Sequence, residues 1–147
     1  MAQRRIGKPL KNLEFIPVTE KLSLALKSTS KNKINRNKGL WAEAKVIQLL
    51  SQKGCVLLEQ RQKWPYGEVD LHFFSPHQNL FILVEVKFLH SPWMIFQRIK
   101  KAQISRLQKN LVYKRTQGCR CRGFICFVNW QAQIQFIDIE NCYLNSV

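Results

Sequence analysis

The residues best equipped for chemistry lie between Gly67 and Lys87, in the run GEVDLHFFSPHQNLFILVEVK. Glu68, Asp70 and Glu85 supply carboxylates and Lys87 an amine, within a stretch that is otherwise mostly apolar. Asp70 and Glu85 are hard oxygen ligands of the kind Mg²⁺ accepts, an ion that takes one or two protein carboxylates and fills its shell with water and phosphate oxygens. Lys87 beside them could hold an attacking water or the charge developing on phosphorus. An acid, a spacer and then Glu-x-Lys is therefore a phosphodiesterase pattern. Taken alone, Glu-x-Lys is a common tripeptide, and an ordinary hairpin whose charges are solvated or paired across its strands accounts for it better.

Two strands and a turn must position these groups. Alternation along EVDLHFF predicts Glu68, Asp70 and His72 on one face and Val69, Leu71 and Phe73 on the other. In LFILVEVK, Glu85 and Lys87 are two apart and share a face, and SPHQN supplies turn residues of hairpin length. If the two polar faces coincide, the carboxylates and the amine meet at one place on an apolar sheet. Upstream, LWAEAKVIQLLSQKG after Gly39 predicts a helix, with Leu40, Ala44, Val46, Ile47, Leu49 and Leu50 as its apolar stripe and Gly54 as its stop. Glu43 falls in the first turn of that helix, where it either complements the dipole or points at the centre. CVLLEQR reads as a short strand and QKWPYG as a loop. Downstream, MIFQRIKKAQISRLQKNLVYKR over 94–115 reads as a long helix, with Ile95, Ile99, Ala102, Leu107 and Leu111 apolar and Gln103 near its middle. QGCRCRG is a turn, GFICFVNW a strand, and QAQIQFIDIE an alternating strand turned back on it, with Ile134, Phe136 and Ile139 inward. A helix, three strands, a crossover helix and a strand pair define an α/β sandwich around a mixed sheet.

Charge indicates the partner. The 147 residues hold 24 Lys and Arg against 9 Asp and Glu, a formal charge of +15 with a pI near 10.0. Such a balance points to a polyanion, nucleic acid ahead of an acidic membrane. The few acids concentrate near the proposed centre, as Glu43, Glu68, Asp70 and Glu85. Residues 1–38 carry ten basic residues, Arg36 and Lys38 among them, against Glu14 and Glu20, and read as a partly flexible basic arm that grips phosphates or is simply solvated. Residues 39–147 form the folded domain. Arg98, Lys100, Lys101, Arg106 and Lys109 are candidate phosphate contacts on the second helix. Lys63, Trp64 and Tyr66 are candidates in the loop, where the aromatics either stack on bases or cover a core edge. Cys55, Cys119, Cys121, Cys126 and Cys142 lack zinc-site spacing and read as reduced thiols, and His72 as a strand-end residue. No apolar run is long enough to cross a bilayer and the first residues lack a signal-peptide segment, so a cytoplasmic protein is expected.

Over about Lys38 to Arg115, Glu43, GEVDL and LVEVK together resemble the PD-(D/E)xK restriction-endonuclease-like superfamily. Within it, GLWAEAKVIQLLSQKG, GEVDL and LVEVK are similar to the YraN-like family of predicted bacterial nucleases, and more distantly to archaeal Holliday junction resolvases. The resemblance implies an αβββαβ core with a central mixed β-sheet flanked by helices. It implies Mg²⁺ or Mn²⁺ held by Asp70, Glu85 and the Val86 carbonyl with help from Glu43, a catalytic Lys87, and Glu68 as part of the GE-x-D hallmark. Gln103 stands where YraN-like sequences tend to carry a basic residue and resembles a glutamine of other nuclease branches. FLHSPWM departs from the usual arginine-containing continuation. The implied activity is a DNA endonuclease selective for branched, flapped or junction DNA in repair or recombination, homodimeric if it cuts two strands symmetrically. A non-catalytic nucleic-acid-binding module and an RNA nuclease are the alternatives.

Overall fold

A computed structural model describes residues 31–91 and 98–141. Five strands form one sheet, β1 (Val56–Trp64), β2 (Gly67–Ser75), β3 (Leu80–Phe88), β4 (Cys121–Val128) and β5 (Ile134–Asp138), hydrogen-bonded in that order. The pairs β1–β2, β2–β3 and β4–β5 are antiparallel, and β3–β4 is parallel. A parallel neighbour requires a crossover, supplied by helix α2 (Lys101–Thr116), while α1 (Lys31–Gln52) precedes the sheet. Mixed pairing with helices before and between the strands is the expected α/β, restriction-endonuclease-like architecture.

Each helix covers its own side of the sheet. Ala42, Val46 and Leu50 of α1 pack with Leu71, Phe73, Val84, Phe88 and Val128. Ile104, Leu107 and Leu111 of α2 pack with Val69, Leu83, Ile125 and Phe127. Strands β3 and β4 are apolar on both faces, which is why LFILV and FICFV read as nearly continuous apolar runs.

Helix α1 ends as its glycine requires. Gly54 adopts φ +87, its N–H bonds to the Ser51 carbonyl at 3.0 Å, and the Cys55 N–H bonds to Leu50 at 3.0 Å, closing a Schellman motif. The start differs from expectation. The helix begins at Lys31, so Glu43 lies in mid-helix instead of the first turn. Leu40 and Ala44 of the expected stripe are exposed, and Ala42 and Glu43 are buried instead. Arg36 and Lys38 are helical, and the rest of the basic arm before Lys31 lies outside the described residues.

Other boundaries move for similar reasons. β1 continues through QKW, leaving only Pro65 and Tyr66 for the connection to β2. CRG begins β4 and does not belong to the turn. Helix α2 starts at Lys101, after an extended Lys100, and buries Ile104 and Asn110 where Ala102 is exposed. Ile95 and Cys142 lie outside the described residues. Cys55, Cys119, Cys121 and Cys126 are free thiols. Among the described residues no helix is long and apolar enough to cross a membrane.

Candidate active site

The site forms where β2 and β3 part. Their ladder runs from Ser75–Leu80 to Leu71–Val84 and ends there. Beyond it the Asp70 side chain takes over, its Oδ2 accepting the Val86 N–H at 2.9 Å. The expected alternation breaks at the same residue. Leu71 and Phe73 pack against α1, but Val69 packs against α2, the side that Glu85 also faces. A regular strand would have kept Val69 with Leu71; the divergence at Asp70 turns the strand over.

The parted strands and the first turns of α2 enclose a cleft of about 310 Å³ lined by Gly67, Glu68, Asp70, Glu85, Gln103 and Arg106. Arg106 lies over Gly67, whose φ is +130 and where a Cβ would sit 3.2 Å from Arg106 Cδ. Only glycine therefore suits that position. Lys87 Nζ lies 3.3 Å from Glu85 Oε1, both side chains being largely buried. Burial, and then the neighbouring Glu85 charge, push Asp70 up to about 7 against the partial opposition of the Val86 N–H. Glu85 is also raised, by burial first, with Lys87 opposing. The two carboxyls share one desolvated place, and a cation there would relieve both their repulsion and their desolvation.

Glu43 is the exception among the predicted acids. It is 5% exposed and already paired, accepting from Arg61 Nε at 3.1 Å and Nη2 at 3.1 Å and from Gln60 Nε2 at 3.2 Å. A slip of the β1–β2 register between Leu57 and Glu59, followed by φ 53 at Arg61, accompanies this placement. Arg61 is thus a member of the acidic neighbourhood that residue types alone did not identify, because no local signal marks the bulge. Asn110 was also missed, though a polar residue on the Leu107–Leu111 face was a usable sign. It is 1% exposed, accepts the Tyr66 N–H at 3.0 Å and donates to the Gly67 carbonyl at 3.3 Å.

Among the described residues no three His, Cys, Asp or Glu side chains converge to enclose a metal. Two half-buried carboxylates facing an open cleft suit a hard ion that keeps much of its water, such as Mg²⁺ or Mn²⁺. Asp70 and Glu85 fit that donor set, and Glu43 in its present pairing does not join them. The remaining candidates divide. Gln103, now in the first turn of α2, and Arg106 border the cleft, and Glu68 lines it while exposed. Arg36, Lys63, Arg98, Lys100, Lys101 and Lys109 are exposed. Lys38 is not open in the same way, its Nζ lying over the Phe88 and Trp130 rings and 3.2 Å from His90 Nε2. His72 is not a strand-end residue. It is buried within β2, with Nδ1 3.0 Å from Glu59 Oε2.

The αβββαβ order, with two carboxylates and a lysine at the parted strand ends, defines a member of the restriction-endonuclease-like superfamily. Residues 42–128 match the model of the "Uncharacterised protein family UPF0102". The chain belongs to that family, the YraN family. It is 34% identical over 74 residues to a UPF0102 protein of Shewanella loihica, covering 49% of this chain and 63% of that one. A UPF0102 protein of Fervidobacterium nodosum is 38% identical over 64 residues, covering 42% and 47%. One of Thermus thermophilus is 40% identical over 50 residues, covering 34% and 43%. The matched part thus spans less than two thirds of each of these relatives.

Proposed function

We propose that the protein is a divalent-metal-dependent DNA endonuclease whose centre is Asp70, Glu85 and Lys87. The observation that carries this reading is the pair of desolvated carboxyls beside the Lys87 amine, opening onto a cleft edged by Arg106 in a chain of charge +15. A pure phosphate-binding surface gains nothing from carboxylates facing its ligand. Asp70, Glu85 and the Val86 carbonyl would hold Mg²⁺ or Mn²⁺, which supplies Lewis-acid polarisation of the scissile phosphodiester.

The chain's own residues do the rest. Lys87 orients the attacking water in line with the leaving 3′ oxygen and balances charge as it grows on phosphorus. Arg106 and Gln103 hold the phosphate at the rim, and the exposed lysines of α2 hold its neighbours with little reading of bases. Arg61 holds the Glu43 carboxylate stationary through hydrogen bonds from Nε and Nη2. Branched or flapped DNA in the cytoplasm is the proposed substrate.

Asp70→Ala and Lys87→Ala should each lower cleavage of a labelled DNA panel by about 100-fold or more in Mg²⁺ or Mn²⁺. Binding measured in EDTA should stay within a few-fold of wild type. Full activity in both variants would remove this assignment.

A further inference from the structure

Beyond the cleft, the surface of α2 continues into a second groove of about 400 Å³. Tyr66, Ser105, Gln108, Lys109, Tyr113 and Thr116 line it. Its helical members recur at three- and four-residue steps, so they form one stripe opposite the core-facing Ile104, Leu107 and Leu111. Large side chains are open to solvent here: Tyr66 is 48% exposed, Tyr113 38% and Val112 57%.

Tyr66 is anchored through its backbone and Tyr113 through its ring. The buried Asn110 clamps the backbone of Tyr66 and Gly67 onto α2. Tyr113 stands edge-on to Trp64 at 6.4 Å. Trp64 is itself fixed by donating from Nε1 to Glu59 at 3.2 Å and by packing edge-on against His72 at 5.0 Å. A ring already packed at a surface, as Tyr113 is, costs little further ordering when a flat ligand lands on it.

The chemistry of the groove selects its occupant. It presents phenol rings, uncharged hydrogen-bonding groups and a lysine, and no carboxylate is among its lining residues. Helix α2 carries Lys101, Arg106, Lys109, Lys114 and Arg115 and no acid, so a second copy docked through this face would set like charge against like. The groove adjoins the cleft through neighbouring residues of the chain. Gly67 and Arg106 line the cleft, and Tyr66 is the residue before Gly67. A strand leaving the centre past Arg106 therefore meets Tyr66 next. In a duplex each base face is covered by its neighbours, and only unpaired bases offer a face to a ring.

We propose that this groove receives an unpaired DNA strand leaving the cleft, its bases stacked on Tyr66 and Tyr113 and its phosphates on Arg106 and Lys109. The proposal rests on the nuclease reading of the cleft and deepens it: the substrate carries an unpaired segment beside the bond to be cut. A blunt duplex is held by backbone charge alone.

The test is binding in EDTA, by fluorescence anisotropy, to a single strand, a flapped duplex and a blunt duplex of matched length. Tyr66→Ala and Tyr113→Ala should each weaken binding of the single strand and the flap about 5- to 50-fold, and of the blunt duplex less than about twofold. Tyr66→Phe and Tyr113→Phe keep the ring and should bind like wild type. A 2-aminopurine in the flap should be quenched by wild type and the Phe variants and not by the Ala variants. Equal losses on flap and duplex, or no loss in either Ala variant, would overturn the proposal. So would a dimer in sedimentation that Tyr113→Ala dissociates. Since nothing is cut in EDTA, failure of the catalytic assignment would appear separately, as intact flap binding without cleavage when metal is added.

Discussion

Asp70 carries two duties that conflict. Its carboxyl accepts the Val86 N–H where the β2–β3 ladder stops, a structural contact, yet burial and Glu85 raise its pKa from an ordinary 3.8 to about 7. Because the folded value lies above the unfolded one, the folded state binds more protons in between. The associated stability is full below about pH 4 and is lost as pH rises through about 7. Asp70→Asn can still accept the Val86 N–H and never ionises. In thermal melts with EDTA, this variant should match wild type only near pH 4 and below, and melt several degrees higher near pH 8, a difference of about 1 kcal/mol or more. An unchanged gap between the two proteins across that range would show that Asp70 does not ionise against its surroundings. Stability lost to an ionised pair without its counter-ion is a common feature of catalytic centres.

At the level of elements, the site depends on how closely α2 approaches the sheet. Gly123 on β4 lies beneath that helix, where an added Cβ would come within 2.8 Å of Ile139 Cδ1 and 2.9 Å of Leu111 Cδ1. Gly123→Ala should therefore force those side chains outward and cost about 1–3 kcal/mol, read as a lower denaturation midpoint with an unchanged m-value. A neutral effect would mean that α2 can shift freely, and with it Gln103 and Arg106. The order of elements and the turn between β2 and β3 were legible because apolar runs and SPHQN mark them locally. The start of α1 was not, since KNKINRNK has no apolar face to announce a helix, and nothing local marks the bulge that delivers Arg61 to Glu43.

For the whole molecule, the excess of positive charge sets the terms of binding. Lys100, Lys101, Arg106 and Lys109 lie exposed along one helix and its approach, without acids between them. If four such side chains each neutralise a phosphate, the logarithm of affinity for duplex DNA should fall with the logarithm of salt at a slope of about −3 to −4. A titration from low to physiological salt measures this slope, and a value near zero would show that the charge serves solubility alone. Removing Lys109 should reduce the slope by about one, uniformly across sequences.

The sequence by itself determined the element order, the mixed sheet, the family and the short list Asp70, Glu85 and Lys87. Each of these depends on local periodicity or on residue types at short spacing. Only the tertiary structure decided that β2 turns over at Asp70, that Glu43 is paired to Arg61, and that buried Asn110 fastens Tyr66 and Gly67 to α2 beside Tyr113. Those facts depend on register slips and on contacts between residues more than forty apart in the chain, such as Asn110 with Tyr66 and Gly67. Periodicity carries no information about which remote residues a bulge or a diverging strand will bring together.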